Sequence, residues 1–306
     1  MNKLVVLGSV NADHVLQVPS FPRPGETLHG QNYQVIPGGK GANQAVAAAR
    51  LNADIGFIAS IGDDSFGINI RESFKYDGMD VSAIKMAPNC PTGIAMIQVN
   101  QSGENTICIS AEANAKLTSN AIEEYLPRIQ QADYLLMQLE TPIDGIESAA
   151  RAAKKGETQV ILNPAPACVL SDELLSCIDI ITPNETEAQV LTGIEVNDDV
   201  TAQRAANALH AKGIATVMIT LGAKGVWLSQ SQQGQLITGF RVDAVDTTAA
   251  GDTFNGAFVT GLLEGLSLES AIKFAHAAAA LSVTRFGAQT SIPSRIEVDE
   301  FLQQHS

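Results

Sequence analysis

The sequence predicts an α/β protein with a doubly wound, mostly parallel central sheet flanked by helices, and a small antiparallel β-sheet lid. Three observations carry this. Short apolar runs alternate with stretches of helical spacing through most of the chain, the pattern of repeated strand–crossover–strand units. Those runs are uniformly apolar rather than alternating, as parallel strands covered on both faces should be. Two segments break the alternation, and each carries turn signals of its own.

In chain order, strands are expected over 4–10, 55–61, 134–139, 159–163, 178–182 and 216–221. Helices are expected over 41–51, 66–76, 119–131, 143–153, 185–192 and 202–211, then over 251–263, 268–285 and 298–304. The first interruption, 13–37, holds Pro19, Pro22, Pro24 and Pro37 with Gly25 and Gly30, and is too long for a plain connection. The second, 92–110, has two alternating runs joined by Gln101-Ser102-Gly103-Glu104, a hairpin signature. Residues of about 13–37 and 92–110 together form the expected lid, rooted beside the end of the first strand and so above the ligand crevice of such a sheet. The 306 residues are read as one domain.

A net charge of −14 disfavours broad binding to nucleic acid or anionic membranes, which need basic faces. Hydrophobic content of 45% supports a large core. The start Met1-Asn2-Lys3-Leu4-Val5-Val6-Leu7 reads as a strand rather than a signal peptide, and no 18-residue apolar run occurs, so a cytoplasmic location is expected. Cys90, Cys108, Cys168 and Cys177 form no CxxC pair and no Cys/His metal spacing, and read as thiols in a reducing compartment. His14, His29, His210 and His305 have no ligand spacing, and Trp227 reads as packing.

The strongest chemical signal is Asp246-Thr247-Thr248-Ala249-Ala250-Gly251-Asp252, a loop of small residues running straight into a helix. Unpaired N–H groups at a helix start bind anions, and small residues let a ligand approach them. Asp252 has two local readings: a cap or dipole partner, or a general base beside an anion hole. Pro37-Gly38-Gly39-Lys40-Gly41-Ala42-Asn43-Gln44 opens a second helix. It is neither a Walker A loop nor a GxGxxG fingerprint, yet its glycines permit close backbone approach and Asn43 offers a donor and an acceptor. In Gly8-Ser9-Val10-Asn11-Ala12-Asp13, Asn11 and Asp13 alternate to one side and can hydrogen-bond sugar hydroxyls, although in isolation a polar turn with local Asx bonds is the favoured explanation. Asn184-Glu185-Thr186-Glu187 is also an ordinary acidic helix start, and Thr220-Leu221-Gly222-Ala223-Lys224-Gly225 an ordinary hairpin.

Taken in order, and with Asn163-Pro164-Ala165-Pro166 and Thr284-Arg285-Phe286-Gly287-Ala288-Gln289, these segments resemble the ribokinase/PfkB family of carbohydrate kinases over the whole chain. The resemblance implies ATP-dependent phosphorylation of ribose at its 5-hydroxyl. By the same resemblance Asn11, Asp13, Gly39, Lys40, Asn43 and Glu140 hold the sugar, Asp252 is the base, and Ala249, Ala250 and Gly251 form the anion hole. Asn184, Thr220, Gly222, Gly225, Gly251 and His276 match nucleotide contacts, and Glu187 an acid that organises Mg²⁺ and phosphate. Asp246, Thr248, Ser282, Arg285, Gly287 and Ser291 match a loop that holds K⁺ as a monovalent activator, largely through backbone carbonyls. The resemblance also implies a homodimer clasped through the small sheets. Two other readings stay open: a kinase for deoxyribose, fructose or another family substrate, and a catalytically silent sugar-binding protein. Asn11, Asp13 and Glu140, with few aromatics, favour a small polyhydroxy sugar over a nucleoside.

Overall fold

The computed structural model describes residues 3–102, 104–231 and 233–305, so Met1, Asn2 and the hairpin residue Gly103 lie outside the described residues. Thirteen strands are described: β1 (Leu4–Leu7), β2 (Asn11–Gln17), β3 (Gln31–Gly38), β4 (Ile55–Gly62), β5 (Ile84–Ala87), β6 (Gly93–Val99), β7 (Asn105–Ser110), β8 (Tyr134–Met137), β9 (Gln159–Leu162), β10 (Ile180–Ile181), β11 (Thr216–Thr220), β12 (Gly225–Gln230) and β13 (Gln233–Thr238). The helices are α1 (Lys40–Arg50), α2 (Ser65–Tyr76), α3 (Ser119–Ile122), α4 (Leu126–Ile129), α5 (Ile143–Lys155), α6 (Asp172–Ser176), α7 (Glu185–Thr192), α8 (Asp199–His210), α9 (Ala250–Leu263), α10 (Leu268–Val283) and α11 (Arg295–Gln304).

Nine strands form the central sheet in the order β13-β12-β11-β10-β9-β8-β1-β4-β5. The seven from β5 to β11 are parallel, and β12 and β13 add an antiparallel edge. Alternation along β1 divides the core. Leu4 and Val6 join the layer built by α1, α9 and α10, while Val5 and Leu7 join the layer of α5 and α8. Both faces are thus apolar, which is why the strands read as continuous hydrophobic runs.

Strand order reverses at β1: the chain moves outward through β4 and β5, then crosses back to β8 on the other side. This is the switch point at which doubly wound sheets form their crevice. The close pass of α1 over the end of β1 depends on Gly8 and Gly41, since a Cβ on Gly41 would overlap the backbone of Gly8 and Ser9. Likewise, a Cβ on Gly256 would overlap the Gln44 carbonyl, so its absence lets α9 lie against α1.

The small sheet has the order β3-β2-β6-β7. Each outer pair is antiparallel, as expected, but the central β2–β6 pair is parallel. Two hairpins side by side, both rooted at the same end, give this arrangement. Other expectations shift for local reasons. The single helix expected over 119–131 is broken into α3, a 3-10 turn and α4, because Pro127 at the start of α4 has no N–H to continue the ladder. The first strand stops at Leu7, where the glycine contact begins. The 178–182 strand shortens to Ile180–Ile181, and α11 starts earlier, at a Ser294/Glu297 capping box. Trp227 is buried and donates to Gln203 Oε1 at 3.1 Å, a packing role.

Candidate active site

The crevice lies where β1, β8, β9, β10 and β11 end. Ser9 and Asn11 follow β1, Gln138 and Glu140 follow β8, Asn163 follows β9, Thr182 and Asn184 follow β10, and Thr220 ends β11. α1 and α9 cross above these ends and contribute Lys40, Asn43, Gln44 and Asp252.

Asp252, in the first turn of α9, is buried, and both of its carboxylate oxygens are held. Asn43 Nδ2 donates to Oδ2 at 3.0 Å, and Gln44 Nε2 donates to Oδ1 at 2.9 Å. Burial pushes its pKa up, while Lys40 and these two amide donors oppose that rise. The cap reading of Asp252 does not describe this geometry. The N-cap of α9 is Ala249, in left-handed backbone with φ 59°, and the Asp252 side chain reaches across to α1.

The helix start itself is open. Thr253 N–H makes the first helical bond, to Ala249 O at 2.8 Å, and among the described residues no backbone partner is found for the N–H groups of Gly251 and Asp252. A Cβ added to Gly251 would meet nothing within 4 Å. Of the expected anion-hole residues, Ala250 is the one whose N–H is engaged, with Thr247 O at 3.2 Å.

The residues expected to hold the sugar converge. Ser9 Oγ donates to Glu140 Oε2 at 2.6 Å, and Lys40 N–H donates to the same oxygen at 3.1 Å. Asn114 Nδ2 donates to Asn11 Oδ1 at 2.8 Å, which turns the Asn11 amide nitrogen away from that contact. Gly39, at φ 91°, caps α1, and a Cβ there would press on the backbone of Ser9, Val10 and Asn11. Asp13 packs against Gly38, where any Cβ would overlap its carboxylate. Asp13 Oδ1 and Asn43 Oδ1 are buried acceptors without a hydrogen-bond partner among the described residues.

The electrostatics are concentrated. Burial pushes the Asp13 pKa up to about 7, with Glu140 and Asp252 adding repulsion and Lys40 opposing. Burial works against the Lys40 charge, but Asp252, Glu140, Glu187 and Asp13 together hold its pKa above the usual lysine value. Glu187 is raised by burial, with the Asn184 N–H and Lys40 opposing. One cation therefore serves four carboxylates.

On the other flank, Asn184 caps α7 in a capping box with Glu187: Asn184 Oδ1 accepts from Glu187 N at 2.8 Å and Glu187 Oε2 accepts from Asn184 N at 2.9 Å. The ordinary helix start is thus realised, yet Glu187 still lies in the field of Lys40 and Asp252. Asn184 also bridges Thr220. Gly222, at φ 55°, borders open space, whereas Gly225, at φ 117°, is required because a Cβ would overlap Ile237 O. His276 is buried with its ring 5.4 Å from that of Phe254, and burial pushes its pKa down to about 4, so it is neutral at pH 7.

The expected cation loop assembles in part through side chains. Asp246 Oδ1 accepts from the Thr248 N–H at 2.9 Å and Oγ1 at 2.6 Å, and its Oδ2 accepts from Gly287 N at 2.9 Å, tying the two loops together. Ser282 Oγ and Ser291 Oγ turn back to Ala279 O and Ala288 O, and Arg285 pairs with Glu297 at 2.6 Å. Their side chains are therefore committed locally. Among the described residues no group of three or more His, Cys, Asp or Glu is placed to hold a metal ion.

The sequence reading passed over Gln44, Gln138, Asn163, Asn114 and Asn255 as site residues. Gln44 Nε2 donates to Asn163 Oδ1 at 3.0 Å as well as to Asp252, and Gln44 Oε1 accepts from Gln138 Nε2 at 2.6 Å. Asn163 Nδ2 donates to Thr182 O at 3.1 Å, Thr182 Oγ1 to Asn255 Oδ1 at 2.7 Å, and Asn255 Nδ2 to Gly251 O at 2.8 Å. Their signal was polarity inside buried segments: Asn43 and Gln44 interrupt an alanine-rich helix whose residues 41–49 are all buried.

A buried carboxylate facing an open helix N-terminus, with hydroxyl-seeking acceptors alongside, is the arrangement of a phosphotransfer site. The chain belongs to the pfkB family of carbohydrate kinases, whose family model matches residues 1–295. It is 58% identical over 300 residues to the ribokinase of Haemophilus influenzae, covering 98% of each protein. It is 46% identical to the ribokinase of Staphylococcus aureus, covering 98% of this chain and 99% of that one. The solved structure of Arabidopsis thaliana ribokinase complexed with ribose and ATP superposes with a TM-score of 0.93 at 35% identity, covering 99% of both chains.

Proposed function

We propose that this protein transfers the γ-phosphoryl group of ATP to the 5-hydroxyl of D-ribose. Full-length identity to ribokinases supports the substrate, and one observation of the site carries the chemistry. Asp13 Oδ1 and Asn43 Oδ1 are buried acceptors that want hydroxyl donors, and they flank a carboxylate set beside free helix N–H groups. A polyol satisfies such acceptors, whereas an apolar ligand leaves them unpaired at a cost of about 1–3 kcal/mol each.

In this reading Asn11, Asp13, Gly39, Lys40, Asn43 and Glu140 orient the sugar. Asp252 accepts the proton of the attacking hydroxyl, with its two oxygens kept in register by the Asn43 and Gln44 amides of α1. The N–H groups at the α9 start face the charge that develops on the transferring phosphoryl group, Lys40 adds positive charge, and positioning supplies most of the rate. Asn184, Thr220, Gly222, Gly225 and His276 border the nucleotide.

Glu187 fits a hydrated Mg²⁺: a single carboxylate suits an ion that keeps several waters and takes its other ligands from phosphates. Bound there, Mg²⁺ would supply charge neutralisation between the phosphates and the carboxylates. The 246–248 and 282–291 segments fit K⁺, because Asp246 is held ionised by Thr248 and Gly287 despite its partial burial, and the committed serine side chains leave backbone oxygens as donors. We further propose that the two hairpins (about 13–37 and 92–110) act as a lid excluding water from the site, and that the small sheets pair in a cytoplasmic homodimer. No described helix is long and apolar enough to cross a membrane.

ADP release measured with ribose, deoxyribose and fructose, with and without K⁺, tests the assignment. Ribose should give the highest kcat/KM, increased by K⁺. Equal or higher values with either other sugar would overturn the substrate, and no release with any sugar would favour a silent binding protein.

A further inference from the structure

We infer that Gln44 is a positioning residue for Asp252, fixing the orientation and the ionised state of the carboxylate through a buried chain of uncharged amides. The inference rests on Asp252 being the base.

Gln44 is fully buried, and each atom of its amide has an assigned partner. Nε2 has two hydrogens, and it spends them on Asp252 Oδ1 (2.9 Å) and Asn163 Oδ1 (3.0 Å); Oε1 accepts from Gln138 Nε2 (2.6 Å). Reversing the amide would set an oxygen against two oxygens, so its orientation is determined by its neighbours. Asn43, one residue earlier, holds the other oxygen. The two amides therefore fix the carboxylate at both ends, but they differ in exposure to substrate. Asn43 retains an unpaired Oδ1, which leaves it free to meet a ligand, whereas Gln44 is saturated by protein. Its action must therefore pass through Asp252.

The packing supports the contact. Gly256, one helical turn after Asp252, touches the Gln44 carbonyl so closely that no Cβ fits, which locks α9 against α1 at this height. The amide chain continues through Asn163, Thr182 and Asn255 to Gly251 O. The base and the helix start that faces phosphate are thus anchored by one polar network. No member of that network other than Asp252 titrates, so its alignment does not change with pH. Donation from Gln44 stabilises the ionised carboxylate against burial. Removing it raises the pH at which Asp252 ionises and frees the carboxylate to rotate.

The test is Gln44→Met, which keeps an unbranched side chain of similar length and adds no charge, assayed beside Asp252→Asn. Losing one hydrogen bond to a charged acceptor predicts a fall in kcat of roughly 10- to 100-fold. KM for ribose should stay within about threefold, because the sugar contacts remain. The acidic limb of the kcat–pH profile should move to higher pH. Gln44→Met also strands the Gln138 amide, so the double variant Gln44→Met/Gln138→Met is measured in parallel and replaces the single one if that fails to fold. Unchanged kcat, or a lower kcat with the acidic limb in its parental place, overturns the positioning role. Turnover retained by Asp252→Asn would instead overturn the base assignment, and the inference with it.

Discussion

Replacing Asp13 with Asn should stabilise the ligand-free protein while weakening its hold on ribose. Asp13 is 8% exposed, and its carboxyl pKa rises from 3.8 to about 7 in the fold, first through burial and then through Glu140 and Asp252. The folded chain therefore keeps the proton that the unfolded chain has already released, and stability falls as pH rises through that window. The penalty starts as pH passes the ordinary carboxylate value and is complete above about 7. A shift of about 3 units at about 1.4 kcal/mol each sets a ceiling near 4 kcal/mol. With an unfolding entropy of about 2.1 cal/mol/K per residue over the chain, this is up to about 6 °C in Tm. Thermal unfolding of parent and Asp13→Asn from pH 4 to pH 8 should show curves that nearly coincide at the acid end and diverge in favour of the variant toward pH 8. Saturating ribose should close the gap, because hydroxyl donors stabilise the parental carboxylate. KM for ribose should rise by at least about tenfold in the variant, the loss expected for a hydrogen bond to a charged group. A Tm difference that does not grow with pH would refute the argument from burial.

Other predictions concern the opposite side of the crevice. Gly251→Ala places a methyl group in open space within the first turn of α9, so stability should hold or rise by up to about 1 kcal/mol. KM for ATP should nonetheless increase, read from initial rates at saturating ribose; unchanged KM would remove Gly251 from the nucleotide side. Asp246→Asn weakens the ties to Thr248 and Gly287 and takes away the carboxylate between the two loops. Its kcat should become insensitive to K⁺, within about twofold; parental K⁺ activation would place the cation elsewhere.

Much of this was legible in the sequence where one residue type had one physical use. The parallel strands announced themselves because both faces of the sheet are covered, and the helix after Gly251 because small residues led straight into it. The break at Pro127 was missed, because helical spacing on either side obscured it. Asp252 was ambiguous because caps and bases share a residue type; what argues against a cap is the contact with Asn43 and Gln44, some 210 residues away, which depends on Gly256 and Gly41 admitting close passes. Gln44 and Gln138 were overlooked because a glutamine in a helix or after a strand has no fixed meaning until its partners are known. The parallel pairing of β2 with β6 was equally hidden, since local turn signals specify hairpins but not how two hairpins lie together.

That parallel pair has a mechanical consequence. Asn11 opens β2, Gly38 closes β3 and Gly93 opens β6, and Asn11 is in register with both glycines. Three of the four connections between the small sheet and the rest of the fold thus pass through a single row, with the fourth leaving one position away at Ser110, opposite Ile94, and that row contains or adjoins the residues expected to hold the sugar. With β2 spanning about 20 Å at 3.3 Å per residue, the small sheet is a lever whose fulcrum is the row proposed to meet the sugar. A rotation of about 10° would carry the far edge through more than 3 Å while moving Asn11 very little. On the proposed function the sugar is held where such motion is least, and the angle of the whole sheet can register what that row has bound.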